Sequence, residues 1–214
     1  MKTTQNQGAP VRQRRKEARP AELIAAALDL FVERGFAATK LDEVAARAGV
    51  SKGTLYLYFS SKEELFKAVI QQGILPVLAQ GEEMLAQHRG DTTSLLRALI
   101  YRWWELVANT KLSGIPKLIV SEAGNFPEVA RYFHDNVSQG IDELLARVLR
   151  AGMEKGEFRR VDIESAVDVI TAPILMREIW KRSMAPFSCC GAADTEVYIG
   201  TYIDLLMNGL LVKE

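Results

Sequence analysis

Apolar residues recur at steps of three and four along almost the whole chain, and this spacing restricts the fold more than any other sequence feature. Such spacing places apolar side chains on one face of an α-helix. No stretch shows the sustained alternation of apolar and polar residues, bounded by hairpin turns, that is typical of strands. The chain is therefore predicted to be all-α. Its 214 residues, 48% of them hydrophobic, are enough to bury a core.

Two helices are predicted first, and the second of them is short. The first is expected to begin at Pro20, because proline suits the first helical position, and to end at Gly35. Thr39 and Asp42 resemble the capping box that starts a helix, and Gly49 is expected to end this second helix. Local signals therefore predict both ends of each helix.

A third helix is predicted to start at Ser51, whose hydroxyl can cap it. Leu55 and Phe59 lie four residues apart in this helix and are expected to face inward together. Ser60 and Ser61 are each followed three residues later by a glutamate, which predicts two overlapping capping boxes for a fourth helix.

Beyond Pro76 the pattern predicts about five longer helices packed in a bundle. The breaks between them are expected at 88–93, 109–116, 124–127, 152–160 and 186–194. Pro173 lies inside an otherwise helical pattern, so it is expected to kink its helix and open space for a ligand.

The formal net charge is zero, but the charges are unevenly distributed. Residues 1–67 hold 12 Lys and Arg against 8 Asp and Glu, whereas residues 68–214 hold 15 against 19. Much of the basic excess lies in residues 1–19, whose Gly, Pro and Gln content predicts a disordered tail. A basic N-terminal part on an acidic body is compatible with a polyanionic partner.

The sequence predicts a cytoplasmic protein without a membrane partner. No apolar run reaches the roughly 18 residues of a membrane span, and the N-terminus is unlike a signal peptide. Cys189 and Cys190 are adjacent, so they cannot close a stabilising loop, and no Cys/His cluster accompanies them. We expect free thiols, no metal and no cofactor, with a redox role for the two cysteines as the alternative.

Gly49, Ser51 and Gly53 match the G-x-S-x-G pattern that presents a nucleophilic serine. That arrangement requires a strand before the serine, whereas an amphipathic helix is predicted there. A serine hydrolase also needs a histidine base, and His88 and His134 have no companion motif. We therefore expect no catalytic residue and no enzyme activity, and keep a small serine hydrolase as an alternative.

The second and third predicted helices, joined by the tight turn over 48–51, form a helix-turn-helix. In this motif the N-terminal residues of the second helix meet the major groove of DNA. The side chains offered there are Lys52, Thr54, Tyr56 and Tyr58, and Gly53 lets the backbone come close. Lysine can donate to guanine or phosphate, and threonine can contact phosphate or a thymine methyl group.

Two nearby helix starts, at Thr39 and Ser61, offer backbone N–H groups and the positive end of a helix dipole. A lysine, Lys40 or Lys62, stands beside each of them. The dipole does not favour a cation at this end, which favours an anion between lysine and helix, with an ordinary exposed charge near a helix start as the alternative. Both starts are therefore predicted to bind phosphate.

The segment TKLDEVAARAGVSKGTLYLYFSSKEELF, residues 39–66, closely resembles the DNA-binding segment of the TetR/AcrR family of bacterial repressors. The resemblance extends more weakly back through the first helix and covers about residues 20–67. It implies DNA contacts at Thr39, Lys40, Ser51, Lys52, Gly53, Thr54, Tyr56, Tyr58 and Lys62. Members of the family often carry histidine where Tyr58 stands.

The resemblance implies a homodimer that binds a palindromic double-stranded DNA operator and is released by a small-molecule effector. The expected parts are a disordered basic tail (1–19), a helix-turn-helix DNA-binding domain (20–67) and a helical ligand-binding and dimerisation domain (68–214). A helical interaction protein whose helix-turn-helix no longer binds DNA is a further alternative.

The last two helices carry apolar residues at steps of four, three and four, which favours a dimer seam, in agreement with the pairing that the family implies. The seam residues are Ile163, Val167, Ile170, Ile174, Ile199, Ile203, Leu206 and Leu210. Gly200 and Gly209 would allow a partner to approach closely. The alternative is that both stripes face the core of the bundle.

Bulky side chains of the body could line a cavity for an apolar or aromatic effector. The candidates are Tyr101, Trp103, Trp104, Phe126, Phe133, Met176 and Trp180. For each of them ordinary core packing is the alternative. Glu105, Glu122 or Glu178 could pair with a cationic ligand, or could simply lie on a solvated helix face.

Overall fold

The computed structural model describes residues 11–184, residue 187 and residues 194–212. Within these ranges the regular elements are helices, accompanied by an antiparallel bridge between Phe158 and Leu211. The all-α prediction is confirmed. Cys189, Cys190 and the first ten residues of the predicted tail lie outside the described residues.

The chain divides into two compact units at Val69 and Ile70. The helices that begin in the first unit are α1 (Val11–Arg34), α2 (Leu41–Arg47), α3 (Lys52–Tyr56) and α4 (Lys62–Gly73). Phe31, Phe36 and Phe66 meet in its core, with ring centroids 5.4 to 5.9 Å apart. Phe66 meets each of the other two rings edge to face, an arrangement that aromatic pairs prefer.

The prediction that the first helix begins at Pro20 is wrong, because α1 begins at Val11 and runs through Pro20. Residues 11–19, predicted as disordered, are therefore helical. Their Arg, Gln, Lys, Glu and Ala residues are good helix formers. Pro20 removes one main-chain hydrogen bond from this helix without ending it.

The second unit contains seven described α-helices where the sequence predicted about five. They are α5 (Leu75–Gln87), α6 (Thr92–Trp103), α7 (Ile115–Glu122), α8 (Pro127–Phe133), α9 (Gln139–Glu154), α10 (Ile163–Ser183) and α11 (Thr195–Leu210). Two π-helical turns, Trp104–Ala108 and His134–Ser138, follow α6 and α8, and a 3-10 turn covers Lys111–Gly114. The second π-helical turn divides α8 from α9, where the sequence predicts no break.

The predicted dimer seam lies in the core of the second unit, so its assignment to a dimer interface is wrong. Six of its residues are at most 6% exposed, namely Val167, Ile170, Ile174, Ile199, Ile203 and Leu210. Ile163 and Leu206 are partly buried and pack against the same core. Helical spacing marks an apolar stripe equally well for a core or for an interface, so only the packing distinguishes the two.

Helices α10 and α11 are held together by two tyrosines of α11. The Tyr198 hydroxyl donates to the Pro173 carbonyl at 2.9 Å, and the Tyr202 hydroxyl donates to the Ile170 carbonyl at 2.6 Å. Helix α10 therefore continues through Pro173 with a tyrosine bound at that position. Within the described ranges, no helix is both long and apolar enough to cross a membrane.

Candidate DNA-binding and ligand-binding sites

Helices α2 and α3 are joined by a tight turn that the predicted residues form. Gly49 has φ of 67°, a left-handed conformation that favours glycine. Ser51 then caps α3, because its Oγ accepts the N–H of Thr54 at 3.1 Å. The predicted cap is confirmed. Since α2 rather than a strand precedes Ser51, the geometry of a nucleophile elbow is absent here and the serine hydrolase alternative loses its basis.

Helix α3 has a buried side and an exposed polar side. Leu55 is fully buried and Phe59 is 9% exposed, as predicted, although Phe59 and Tyr58 follow the end of the helix at Tyr56. Lys52 and Gly53 are exposed, Tyr56 is 47% exposed, and Thr54 and Tyr58 are half-buried. The turn and α3 therefore present a polar edge that a duplex can reach.

Lys52 is held at this edge by Asp42 of α2. Its Nζ lies 2.8 Å from Oδ1 and 2.9 Å from Oδ2 of Asp42, and both side chains are 59% exposed. The hydrogen bond and charge of Asp42 raise the pKa of Lys52. An exposed pair of this kind is weak, so the ammonium can exchange the carboxylate for a phosphate or a base edge. This partner was not predicted from the sequence, because the spacing of Thr39 and Asp42 assigns Asp42 to the start of α2.

The side chain of Thr39, one of the residues expected to contact DNA, has a structural role. It is 2% exposed, and its hydroxyl donates to the Gly35 carbonyl at 2.7 Å and lies 3.2 Å from the Leu30 carbonyl. The residue that caps α2 is Lys40, which is exposed and makes no side-chain capping bond. The predicted capping box is therefore wrong, and the Thr39 hydroxyl is buried in the turn after α1 instead of being exposed to a duplex.

Lys62 also binds this turn, so its ammonium group is not directed at a phosphate. Its Nζ donates to the carbonyls of Phe36, Ala37 and Thr39 at 2.6, 3.0 and 3.1 Å. These three bonds use all the donors that an ammonium has. The predicted phosphate contact of Lys62 is not what this geometry provides, and the lysine instead ties the start of α4 to the loop before α2.

We expect Lys62→Met to lower the free energy of unfolding by about 2 kcal/mol, because three carbonyls lose a charged donor. Circular dichroism during thermal unfolding will measure the change. Lys67→Met, at an exposed position of the same helix, is the matched control and should change stability by less than about 0.5 kcal/mol. Equal shifts for the two variants would contradict the positioning role.

The start of α4 is capped much as predicted. The Ser61 hydroxyl accepts the N–H of Glu64 at 3.2 Å, and the Glu64 carboxylate accepts the N–H of Ser60 at 2.7 Å. The hydrogen bonds from Ser60 lower the pKa of Glu64. The second predicted box, between Ser60 and Glu63, is replaced by this shifted arrangement.

The second unit contains a cavity of about 180 Å³ between α5, α6, α7, α9 and α10. Its wall is mostly aliphatic, and Trp103 and Phe133 supply its aromatic surface. The polar side chains of the lining belong to Arg102, Ser138, Asp142 and Thr171. Burial, followed by the charge of Asp168, raises the pKa of Asp142. An apolar enclosure with a few polar groups is typical of small-molecule sites.

Of the seven residues predicted to line a ligand cavity, Trp103 and Phe133 lie in the wall of this cavity. Trp104 is 2% exposed and belongs to the core, and Phe126 is absent from this lining. The remaining three are largely exposed, with Tyr101, Met176 and Trp180 at 43%, 59% and 52%. Aromatic size predicted the cavity poorly because aliphatic residues form most of the wall. No sequence signal separates those residues from ordinary core.

Helices α10 and α11 each expose a row of large apolar side chains on the side away from the core. We call this set the apolar face; its members are 52% to 67% exposed and comprise Val169, Met176, Trp180, Val197 and Leu205. Gly200 and Gly209 of α11 have no atom within 4 Å of the position that a Cβ would take. Large exposed apolar patches are uncommon on monomers.

Comparisons with known proteins agree with both units. The family model for bacterial regulatory proteins of the tetR family matches residues 23–69. A model for the C-terminal domain of tetracyclin repressor-like proteins matches residues 86–187. Each model therefore covers most of one unit.

Curated relatives are transcriptional regulators. The uncharacterized regulator YdeS of Bacillus subtilis is 32% identical over 173 residues, which cover 76% of this chain and 79% of YdeS. The transcriptional activator FasR of Mycolicibacterium smegmatis is 27% identical over 183 residues, covering 85% and 81%.

The crystal structure of the regulator FadR from Bacillus subtilis, in complex with stearoyl-CoA, shares the fold. Its TM-score is 0.73 at 21% identity, over 88% of this chain and 98% of FadR. With a capped helix-turn-helix, a helical body and matches along both units, the chain belongs to the TetR family of bacterial DNA-binding transcriptional regulators.

Proposed function

We propose that the protein is a ligand-responsive repressor that binds a palindromic operator as a homodimer and leaves it when a small apolar molecule occupies the cavity. The exposed polar edge of α3, held by buried Leu55 and Phe59, is the observation that carries this proposal. Such an edge on a helix-turn-helix has the shape and the donors needed in the major groove.

The proposed DNA contacts are divided between bases and backbone. Lys52 and Tyr56 stand on the exposed side of α3 and are the candidates for base or phosphate contacts. Gly53 is exposed and lets the backbone approach. The other proposed contacts are made by Lys40, Ser51, Thr54 and Tyr58. Thr39 and Lys62 act by positioning the loop before α2.

The apolar face of α10 and α11 is the proposed dimer interface. Its exposed residues replace the buried seam that the spacing predicted, while the same two helices remain involved. A twofold dimer presents two copies of α3 to DNA, which matches the symmetry of a palindrome. A ligand that changes the distance between the two copies of α3 weakens the contacts with DNA at both half-sites.

The proposed effector has an apolar body, because aliphatic side chains form most of the cavity wall. FadR of Bacillus subtilis binds stearoyl-CoA, and an acyl chain has this character. Release from DNA requires the ligand to bind the released form more tightly. A hundredfold loss of DNA affinity corresponds to about 2.7 kcal/mol of differential binding.

Operator binding tests the proposal directly. The purified full chain is titrated with DNA fragments from upstream of its own gene at several salt concentrations. We expect it to retain at least one of these fragments over competitor DNA. About six to ten phosphate contacts per dimer predict a log-log slope of about −5 to −9. A chain that retains no fragment over competitor DNA would support the helical interaction protein instead. The relative FasR is named as an activator, so the direction of regulation needs its own test. With a reporter gene placed behind the operator, a repressor predicts that expression rises when effector is added.

We expect Ile141→Trp to abolish ligand response without affecting DNA binding. Ile141 is half-buried and lines the cavity, so a larger side chain there fills space that the ligand needs. The probe is heptyl methyl ether, an apolar molecule without a hydrogen-bond donor. Its affinity should fall more than about tenfold, which equals about 1.4 kcal/mol.

Val120→Trp is the control for this variant, because Val120 is 67% exposed and does not line the cavity. It should bind the ether as the parent chain does. An ether affinity that is unchanged in Ile141→Trp would show that the cavity is not the effector site.

A further inference from the structure

Lys52 and Asp42 form an ion pair at the exposed edge of α3. The Nζ of Lys52 lies 2.8 Å from Oδ1 and 2.9 Å from Oδ2 of Asp42, and both side chains are 59% exposed. Lys52 is the first residue of α3, and Asp42 lies in the first turn of α2. The pair therefore joins the two helices of the helix-turn-helix at a place that a duplex can reach.

Asp42 differs in its partner from the other acidic residue in the first turn of α2. Glu43 binds Arg34 of α1 at 3.0 Å, so it connects α2 to α1. Asp42 instead binds a residue that is expected to contact DNA. Helix α3 has no acidic residue in its own first turn, where the helix dipole does not favour a cation. Asp42 therefore supplies the counter-charge that Lys52 lacks on its own helix.

The Lys52 ammonium keeps hydrogen-bonding capacity while Asp42 holds it. An ammonium has three N–H donors, and one of them is enough to maintain a bond to a carboxylate oxygen. The other two can donate to DNA, and the second carboxylate oxygen remains an acceptor. The Tyr56 ring, with its centroid 5.9 Å from Nζ, offers the ammonium only a π face. The pair therefore offers two donors beside one acceptor.

A G·C base pair presents the complementary pattern in the major groove. Guanine offers two adjacent acceptors, N7 and O6, and cytosine offers its N4 amino group next to O6. O6 and N4 are joined by a hydrogen bond of the base pair, so they lie about 2.9 Å apart. This spacing is close to the 2.8 Å between Nζ of Lys52 and Oδ1 of Asp42. One Lys52–Asp42 pair can therefore contact all three groups of one G·C pair.

We propose that Asp42 determines specificity, and that the Lys52–Asp42 pair contacts one G·C base pair in each half-site, with Lys52 on guanine and Asp42 on cytosine. This inference rests on the proposed operator binding and names a base pair that α3 contacts. An A·T pair alternates acceptor, donor and acceptor, so it offers the ammonium only one acceptor beside a donor for the carboxylate. An inverted C·G pair places the N4 amino group against the ammonium.

A backbone phosphate is a poorer partner for this ion pair. The carboxylate of Asp42 offsets the charge of Lys52, and a phosphate on the same ammonium would bring a second anion close to that carboxylate. The acceptors of guanine carry no formal charge, so they avoid this repulsion. Phosphate contacts supply the affinity for DNA of any sequence. Asp42 therefore directs Lys52 towards a contact that depends on sequence.

Selection from a library of duplex DNA with random sequence tests the inference on the purified full chain. Bound duplexes are sequenced for the parent chain, Asp42→Ala, Lys52→Met and the control Glu22→Ala. Glu22 is exposed on α1, so the control removes one negative charge from the same unit. The parent chain should require a G·C pair in each half-site. Asp42→Ala and Lys52→Met should both lose this requirement, at the same position, while the control keeps it.

Fluorescence anisotropy with the selected duplex measures the size of the preference. Changing the required G·C pair of one half-site to A·T, or inverting it to C·G, should weaken binding of the parent chain about tenfold, which equals about 1.4 kcal/mol. Asp42→Ala should reduce this preference to within about threefold. It should also raise the affinity for unrelated duplexes more than Glu22→Ala does, because Lys52 is then free to bind phosphate.

A purely structural role of Asp42 predicts a different result. Asp42→Ala would then lower the melting temperature and weaken binding to every duplex by the same factor, with the base preference unchanged, and this outcome would overturn the inference. Lys52→Met provides the same test of base preference if Asp42→Ala does not fold. A parent chain whose selected site has no G·C pair that responds to these variants would refute the inference alone. A parent chain that selects no sequence would refute the proposed operator binding as well.

Discussion

Lys52→Ala combined with Tyr56→Phe will reduce the affinity for operator DNA by about a hundredfold. Lys52 is expected to contribute about 1–3 kcal/mol as a base or phosphate contact, and the Tyr56 hydroxyl about 1 kcal/mol. Their sum of about 2–4 kcal/mol includes the roughly 2.7 kcal/mol that corresponds to a hundredfold loss. The part of the Lys52 contribution that arises from phosphate contact will also make the salt slope shallower. Fluorescence anisotropy with labelled operator DNA measures both quantities.

The stability of the protein should change little in this variant. The Lys52 pair with Asp42 is exposed, so its loss costs less than about 1 kcal/mol. The control is Lys155→Ala with Tyr101→Phe, which makes the same two chemical changes at exposed positions of the second unit. If both double variants bind operator DNA equally well, α3 is not the helix that contacts the major groove.

Met176→Glu combined with Leu205→Glu will convert the proposed dimer to monomers. Met176 is 59% exposed and Leu205 is 67% exposed on the apolar face, so neither carboxylate disturbs the monomer. In a twofold dimer each substitution occurs twice, and four carboxylates without partners are then buried at one interface. Such burial costs several kcal/mol per charge, so the dimer dissociation constant should rise at least about a thousandfold.

Sedimentation velocity will measure the association state, and operator affinity should fall with it because a monomer reads only one half-site. Val120→Glu is the control, since Val120 is equally exposed on α7 outside the apolar face. A double variant that remains dimeric would place the interface elsewhere. Far-UV circular dichroism of the variant must match the parent chain, which separates dissociation from unfolding.

The reading motif could be predicted from the sequence because its signals are local. The Ser51 cap involves an N–H three residues away, and the left-handed turn at Gly49 is a property of the glycine itself. Leu55 depends only on helical spacing for its inward direction. These features need no knowledge of distant packing.

The roles of Thr39 and Lys62 could not be predicted in the same way. The carbonyls that Lys62 binds lie 23 to 26 residues earlier in the chain, and Thr39 binds a carbonyl in the preceding helix. Both residues match the family pattern by position, so a polar contact was expected at each. The folded loop decides that their partners are carbonyl groups of the protein itself.

The apolar stripes of α10 and α11 show the same limit on a larger scale. Val167 and Val169 are two residues apart, yet the first is 4% and the second 63% exposed. Spacing by three and four predicts that a helix has an apolar side without stating what covers it. The cavity has the same ambiguity, since the aliphatic residues of its wall differ from core residues only in facing an empty volume.

By itself the sequence determined the all-α class, the two-helix reader and its family, because capping, turn conformation and helical period act between residues a few positions apart. The tertiary structure alone decided which apolar stripe is core, which residues enclose the cavity, and which carbonyl groups Lys62 binds. Those properties depend on which distant segments meet, and burial and the partners of polar groups are set only when they do.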